Sequence, residues 1–201
     1  MTHTTVVLAR HGRTAWHHPV RYTGRSDVPL DEVGVAQAAR LGAWAAGAGF
    51  AALACSQLQR ARDTAAAVTA TTGLAALVDP RLRELDFGVA EGQTLDELRA
   101  ADASSVARFE ADPAAGHFPG GEPPTEAVDR ALAALTELAT AYAGQQVLVV
   151  AHSTLIRLVT CAVLGVPLAD YRRKLPALDP TATTTLRFPE PVGVLSYNVP
   201  R

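Results

Sequence analysis

Arg10-His11-Gly12 follows directly on the apolar run Val6-Val7-Leu8-Ala9. An imidazole can act as a nucleophile, a guanidinium can clamp a phosphoryl group through paired N–H bonds, and glycine lets a ligand approach the backbone. A charged triplet at the end of a buried-strand pattern sits where open α/β sheets place their chemistry, beyond the carboxyl ends of strands. Three such residues recur by chance in many chains. Their weight here comes from further segments that supply the other parts of one phosphoryl-transfer site.

Ser56 to Thr64 follows a second short strand pattern and opens a helix. Backbone N–H groups at a helix start attract anions, and an arginine in the first turn adds a bidentate fork. Arg60 and Arg62 are too close along a helix to share a direction, so one faces the site and the other serves the surface. Leu82-Arg83-Glu84-Leu85-Asp86-Phe87-Gly88, continuing to Glu91-Gly92, sets carboxylates among apolar residues. A carboxyl group in such surroundings can work as a general acid near neutrality, with Glu84, Asp86 and Glu91 all candidates. Ala151-His152-Ser153 again follows a buried strand, so His152 has the same placement as His11. Two histidines at equivalent strand ends can converge in space.

The elements that must position these residues alternate. Strand patterns cover Thr5–Ala9, Ala51–Cys55, Ala75–Val78 and Val147–Ala151. Helix patterns cover Asp31–Gly47, Leu58–Thr72, Thr94–Ala101, Val106–Ala111, Thr125–Ala143 and Leu155–Leu164, with Gly73, Gly144 and Gly165 as stops. Thr183–Phe188 and Val192–Tyr197 read as two last strands joined by a Pro-containing turn, too tight for a parallel crossover. This order predicts a three-layer α/β/α sandwich around a mainly parallel sheet with an antiparallel edge strand. Residues 1–201 read as one domain, with the Pro- and Gly-rich stretch at about 100–124 as a partial cover for the site.

Composition narrows the ligand. The chain has 201 residues, 48% of them hydrophobic, and a formal net charge of −2. That balance speaks against a nucleic-acid partner, while Arg10, Arg13, Arg21 and Arg25 concentrate positive charge near the start. A small phosphorylated substrate suits this better than a polymer. Cys55 and Cys161 form neither a disulfide framework nor a metal spacing and read as buried thiols. His3, His11, His17 and His18 lack the spacing of a zinc site, so no metal or other cofactor is expected. Cys55 is out of register with Arg60 and Arg62 for a cysteine phosphatase loop, and Ala151-His152-Ser153-Thr154 is not a nucleophile elbow. No signal or membrane-spanning pattern is evident, which predicts a cytoplasmic protein with no membrane partner. The oligomeric state stays open, a homodimer included.

Taken together, the segments resemble the histidine phosphatase superfamily, also called phosphoglycerate-mutase-like, from Val6 to about Tyr197. Arg10-His11-Gly12 looks like its signature. Tyr22-Thr23-Gly24, with Asp27, Leu30 and Gly34, is similar to its first loop and helix. Ser56-x-Leu58-x-Arg60-Ala61-x-x-Thr64 resembles its second-arginine motif and selects Arg60 over Arg62. Leu82-x-Glu84 with Phe87-Gly88 and Glu91-Gly92 resembles the acid motif of its phosphatase branch, and Pro119-Gly120-Gly121-Glu122 a loop common there. Two positions depart from the pattern: His17 stands where the signature carries a phosphate-contacting asparagine, and Ser153 where a glycine follows the second histidine.

The resemblance implies a phosphoglycerate-mutase-like fold and a metal-independent phosphomonoesterase working through a phosphohistidine. His11 is then the nucleophile and Glu84 the proton donor, while Arg10, Arg60 and His152 hold the phosphoryl oxygens. His17, Thr23, Gly24 and Ser153 are the substrate-binding candidates beside them. Arg13 is a candidate for a second anionic group, such as a carboxylate or another phosphate. Trp16, Tyr22 and the His117-Phe118-Pro119 loop are candidates for the outer pocket. Two other readings compete: a phosphoglycerate-mutase-type phosphotransferase, and a non-catalytic phospho-ligand binding descendant. Mutases resemble a longer chain with extra closing segments, and the Glu91-Gly92 form favours hydrolysis.

Overall fold

The computed structural model describes residues 3–189 and 191–201. Six strands form one sheet in the order β3-β2-β4-β1-β5-β6. They are β1 (Thr4–Arg10), β2 (Ala52–Cys55), β3 (Ala76–Val78), β4 (Gln146–Ala151), β5 (Thr183–Phe188) and β6 (Gly193–Val199). Neighbours among the first four are parallel, whereas β5 runs antiparallel to β1 and β6 antiparallel to β5. The antiparallel edge is thus two strands wide. Glu190, in the turn expected between them, lies outside the described residues.

Continuous apolar runs in β1 and β4 follow from burial on both faces. Val6 and Leu8 of β1, with Val147 and Val149 of β4, join one core cluster; Val7, Ala9, Leu148 and Val150 join the other. The second cluster is covered by α1 (Glu32–Ala46) and α2 (Gln59–Thr72) through Leu41, Ala45, Ala61, Ala65 and Val68. The first is covered by α5 (Pro124–Ala141) and α6 (Ser153–Leu164) through Ala131, Leu135, Leu155 and Leu158. Three layers result, as the alternating pattern predicts. No helix among the described residues is long and apolar enough to cross a membrane.

Helix ends follow their caps. The Asp31 side chain accepts from Gly34 N–H at the start of α1, and Gly73 and Gly165 adopt left-handed conformations where α2 and α6 stop. The remaining helices are α3 (Leu95–Ala101), α4 (Ala103–Ala111) and α7 (Tyr171–Lys174). Helix α4 begins earlier than the predicted Val106, because Asp102 accepts from the backbone N–H groups of Ser104 and Ser105. Helix α7 was absent from the pattern reading; four residues are too few to show a period.

No residue of 100–124 lines the central cavity. Phe109 and Phe118 instead stack on each other at 4.4 Å and meet the ring of Tyr22 edge-on, so this segment backs the cavity wall. His117, Phe118 and Pro119 are not among the residues that line the cavity. Phe118 is buried, and the His117 ring nitrogen Nδ1 is 3.0 Å from Ala114 O.

Candidate active site

Register brings the two histidines together. Arg10 of β1 pairs with Ala151 of β4, so His11 and His152 leave adjacent strands at the same level. Their ring centroids are 5.1 Å apart. His11 Nδ1 lies 2.7 Å from Gly12 O, which fixes the Nδ1–H tautomer and leaves a lone pair on Nε2. Burial, then Arg60, then Arg10, push the His11 pKa well below its usual value, so the ring stays neutral and nucleophilic at neutral pH. Gly12 serves packing: a Cβ there would lie 2.5 Å from Gly34 O, where the loop crosses the first turn of α1. Its N–H donates to Thr64 Oγ1 of α2.

Cationic and neutral donors surround this ring. Arg10 donates through Nη1 to Leu178 O, and its Nη2 lies 2.5 Å from His17 Nε2. Burial lowers the Arg10 pKa to about 10, with Glu84 and Asp179 opposing, so it remains a cation at neutral pH. Arg60 is fully buried and donates to Ser26 O and Gly24 O, both at 2.8 Å. It thereby holds the loop after Thr23 while bringing its charge close enough to act on His11. Arg10 Nε, Arg60 Nε and both ring nitrogens of His152 are buried without hydrogen-bond partners. An unpaired buried polar group costs about 1–3 kcal/mol. The two arginine Nε–H groups together with the single N–H of a neutral His152 gather around one nucleophile, which marks a place built for an anion.

Glu84 is buried and lines the same cavity. Its setting is not the apolar one read from the sequence. Oε1 accepts from the backbone N–H groups of Leu85 and Leu155, and Oε2 from that of Thr154. The carboxylate thus sits on the N-terminus of α6, directly behind His152 and Ser153. Counting two acceptor positions per oxygen, Oε1 is saturated and Oε2 keeps one position for proton transfer. The backbone before it is clamped from α5: Arg130 donates to the carbonyls of Arg81, Arg83 and Glu84 and to both oxygens of Glu122. Sequence reasoning missed Arg130, since an arginine on an amphipathic helix carries no motif.

The cavity holds about 470 Å³. Of the sequence candidates, Arg10, His11, His17, Thr23, Glu84 and Ser153 line it, as do Trp16 and Tyr22, whereas Arg60 and His152 are fully buried and do not line it. Ser153 is the first residue of α6, and its hydroxyl makes no hydrogen bond to the described residues. The Thr23 hydroxyl donates to Arg21 O. Two substrate-binding candidates, Arg13 and Gly24, are placed elsewhere. Arg13 pairs with Asp31 at 2.8 Å and does not line the cavity. Gly24 gives its carbonyl to Arg60, and a Cβ there would lie 2.3 Å from Glu91 Oε1, so it closes the loop. Arg25 and Arg62 are exposed, Arg25 lying 3.4 Å from Asp86. Arg157, Tyr171 and Arg172 do line the cavity and were not singled out. Cys55 and Cys161 are buried, and burial pushes the Cys55 thiol up to about 11.

Comparison with known proteins agrees with this geometry. Residues 6–198 match the family model of the histidine phosphatase superfamily, branch 1. A probable phosphoglycerate mutase GpmB of Yersinia pestis is 33% identical over 168 residues, covering 84% of this chain and 78% of that protein. Bacillus stearothermophilus YhfR superposes with a TM-score of 0.91 at 30% identity, covering 98% of both chains. A mycobacterial glucosyl-3-phosphoglycerate phosphatase superposes with a TM-score of 0.89 at 26% identity, covering 98% of this chain and 99% of that one. With the paired strand ends, the buried arginines and the match across nearly its whole length, this chain belongs to the histidine phosphatase superfamily.

Proposed function

We propose that this protein is a metal-independent phosphomonoesterase that acts on a small phosphorylated metabolite through a phosphohistidine. The observation that carries the reading is the His11 tautomer: Nδ1 is committed to Gly12 O, so Nε2 is free to attack. In the first step His11 Nε2 forms a bond to phosphorus in line with the leaving oxygen. The P–O bond breaks, and Glu84 gives the departing alkoxide a proton through Oε2. In the second step Glu84 takes a proton from water, the hydroxide attacks phosphorus, and the P–N bond breaks to release orthophosphate. Arg10, Arg60 and His152 stabilise the charge spread over the non-bridging oxygens. Arg10 and Arg60 supply the positive charge from the protein itself, and neutral His152 adds a hydrogen-bond donor.

His17 is held between Arg10 and Thr14. Its pKa is lowered to about 4, mainly by burial and then by Arg10, so it is neutral at neutral pH. Its Nε2 meets Arg10 Nη2 and its Nδ1 meets Thr14, which ties the first arginine to the loop that follows it. The decisive test is hydrolysis of p-nitrophenyl phosphate in excess EDTA by wild type and His11→Ala. Turnover that survives EDTA and vanishes in the variant supports the reading; activity retained by the variant removes His11 as nucleophile.

A mutase reading draws on the relatives named as probable phosphoglycerate mutases. It differs in the fate of the phosphohistidine, which returns its group to substrate. Incubation with 3-phosphoglycerate separates the two: free phosphate marks hydrolysis, and 2-phosphoglycerate marks transfer. Binding without turnover of any phosphate ester marks a non-catalytic descendant.

A further inference from the structure

Arg13 is engaged by Asp31 and Arg21, which lines the cavity, by Glu97, but two further arginines besides Arg10 line the cavity. Arg157 lies on α6, four residues after Ser153, and Arg172 lies in α7. Neither forms an ion pair with a carboxylate among the described residues. Asp170, the acid nearest in sequence to Arg172, is taken by Arg173. Glu84, across the cavity, acts on Arg157 only as a minor influence and is committed to the start of α6.

Both guanidinium groups are half-buried and held by neutral partners. Arg157 Nε donates to Leu175 O at 2.6 Å and Nη2 to Tyr171 O at 3.3 Å, with the guanidinium carbon 4.7 Å from the Tyr171 ring centroid. Its Nη1 has no acceptor in the protein among the described residues. Arg172 Nη1 donates to the Tyr22 hydroxyl at 3.2 Å, and its guanidinium carbon is 5.0 Å from the Phe109 ring. Carbonyls, a hydroxyl and aromatic faces orient these cations without neutralising them. Half-burying two cations against the same cavity, with no counter-charge, costs desolvation energy that a bound anion recovers. Their planar forks are pre-organised for a carboxylate or phosphate.

We infer that Arg157 and Arg172 form a second anion subsite, which takes a carboxylate or phosphate carried by the substrate's leaving group. The phosphoryl group undergoing transfer sits at His11, and the body of the substrate lies against Trp16, Tyr22 and Tyr171. The protein therefore selects phosphomonoesters that bear another negative charge. The inference deepens the phosphomonoesterase reading and rests on it for turnover, but not for binding.

The test uses aryl phosphates matched in shape. The 3- and 4-carboxyphenyl phosphates are compared with their neutral carbamoyl isosteres, and 1,4-phenylene bisphosphate probes a second phosphate. Wild type is expected to favour a charged member over its neutral counterpart in kcat/KM by about 10-fold or more, the scale of a hydrogen bond to a charged group. Arg172→Gln is expected to bring that ratio towards one, and Arg172→Lys to restore part of it. Preference for the carboxylates alone or the bisphosphate alone tells which anion the subsite takes. Thermal unfolding of each variant identifies one that has lost its fold; Arg157→Gln then supplies the same ratio. Calorimetric binding of these compounds to His11→Ala protein reads the subsite independently of catalysis. A charge preference in binding without wild-type turnover upholds the subsite and overturns the hydrolase. Turnover with equal preference for charged and neutral esters, or an equal loss for both in Arg172→Gln, overturns the subsite and leaves the hydrolase standing.

Discussion

The floor and the outer wall of the cavity are built on different terms. His11, Arg60, Glu84 and His152 are each at most 5% exposed and sit at strand ends or against the start of a helix. Backbone groups fix most of them: Gly12 O orients His11, three carbonyls hold Arg60, and three N–H groups hold Glu84. Trp16, Val20, Tyr22 and Arg172 come from an extended loop and a four-residue helix, and Val20 is 74% exposed. The floor is over-determined by the sheet, whereas the wall depends on side-chain contacts between short segments. Chemistry and substrate choice are thereby separable, because the wall can change without moving the nucleophile.

The sharpest way to break this comparison is to delete one member of each region. His11→Ala is expected to lower p-nitrophenyl phosphate turnover by about 10⁴-fold or more, since the covalent route disappears. Val20→Ala is expected to shift KM among larger esters and to change kcat for this small substrate by less than about tenfold, the range of uniform binding effects. Steady-state kinetics on both variants decides the matter. A wall variant that rivals His11→Ala in kcat would show that the two regions work as one.

Glu84→Gln probes the floor from its acid side. The amide cannot donate the proton, so turnover is expected to fall by about 10²–10⁴-fold. It also turns an NH₂ group towards backbone N–H donors that a carboxylate satisfied. That mismatch is expected to cost about 1–3 kcal/mol of stability, although the side chain is isosteric. Kinetics and thermal unfolding on one preparation test both. A full loss of rate with an unchanged melting temperature would mean that the helix-end bonds do not hold this carboxylate.

The same division explains what the sequence discloses. Strands β1 and β4 are legible because burial on both faces demands an unbroken apolar run, and the motifs at their ends then fall into place. Arg60 was separable from Arg62 only through the family pattern, and burial accounts for the choice: Arg60 is enclosed and Arg62 is exposed. Arg13 and Arg172 show the limit. Both are arginines beside site segments, and nothing local says that Asp31 captures the first while the second meets Tyr22, 150 positions away. Helix α7 lies below the length at which a period can be read. Arg130 clamps the Glu84 backbone through tertiary contacts that no spacing announces.

Acid should weaken the floor before the rest of the fold. Burial lowers the pKa values of His11, His17 and His152 below the usual 6.5, that of His17 to about 4. Between the folded and unfolded values the unfolded chain binds more protons, so stability rises with pH through that window and is lost as pH falls below about 6.5. The contribution of His17 declines until about pH 4. Each group contributes a slope of at most about 1.4 kcal/mol per pH unit. Urea midpoints at pH 7.5, 6 and 5 should fall in that order, and His17→Asn should flatten the trend. An unaltered slope in His17→Asn would assign the acid sensitivity to the other two rings.

The smallest effect is expected at Arg13, and it sharpens the boundary of the site. Its side chain is one-third exposed and its partner Asp31 caps α1 through the other carboxylate oxygen. Removing the guanidinium leaves that cap in place, so Arg13→Ala should cost no more than about 1 kcal/mol, the range of partly exposed ion pairs. It should also leave the preference between charged and neutral esters where it was, in contrast to Arg172→Gln. The two variants remove the same charge at two places near the cavity, so electrostatics at long range would affect both. A loss of preference in Arg13→Ala equal to that in Arg172→Gln would show that general positive potential, rather than the fork seated against Tyr22, selects the substrate.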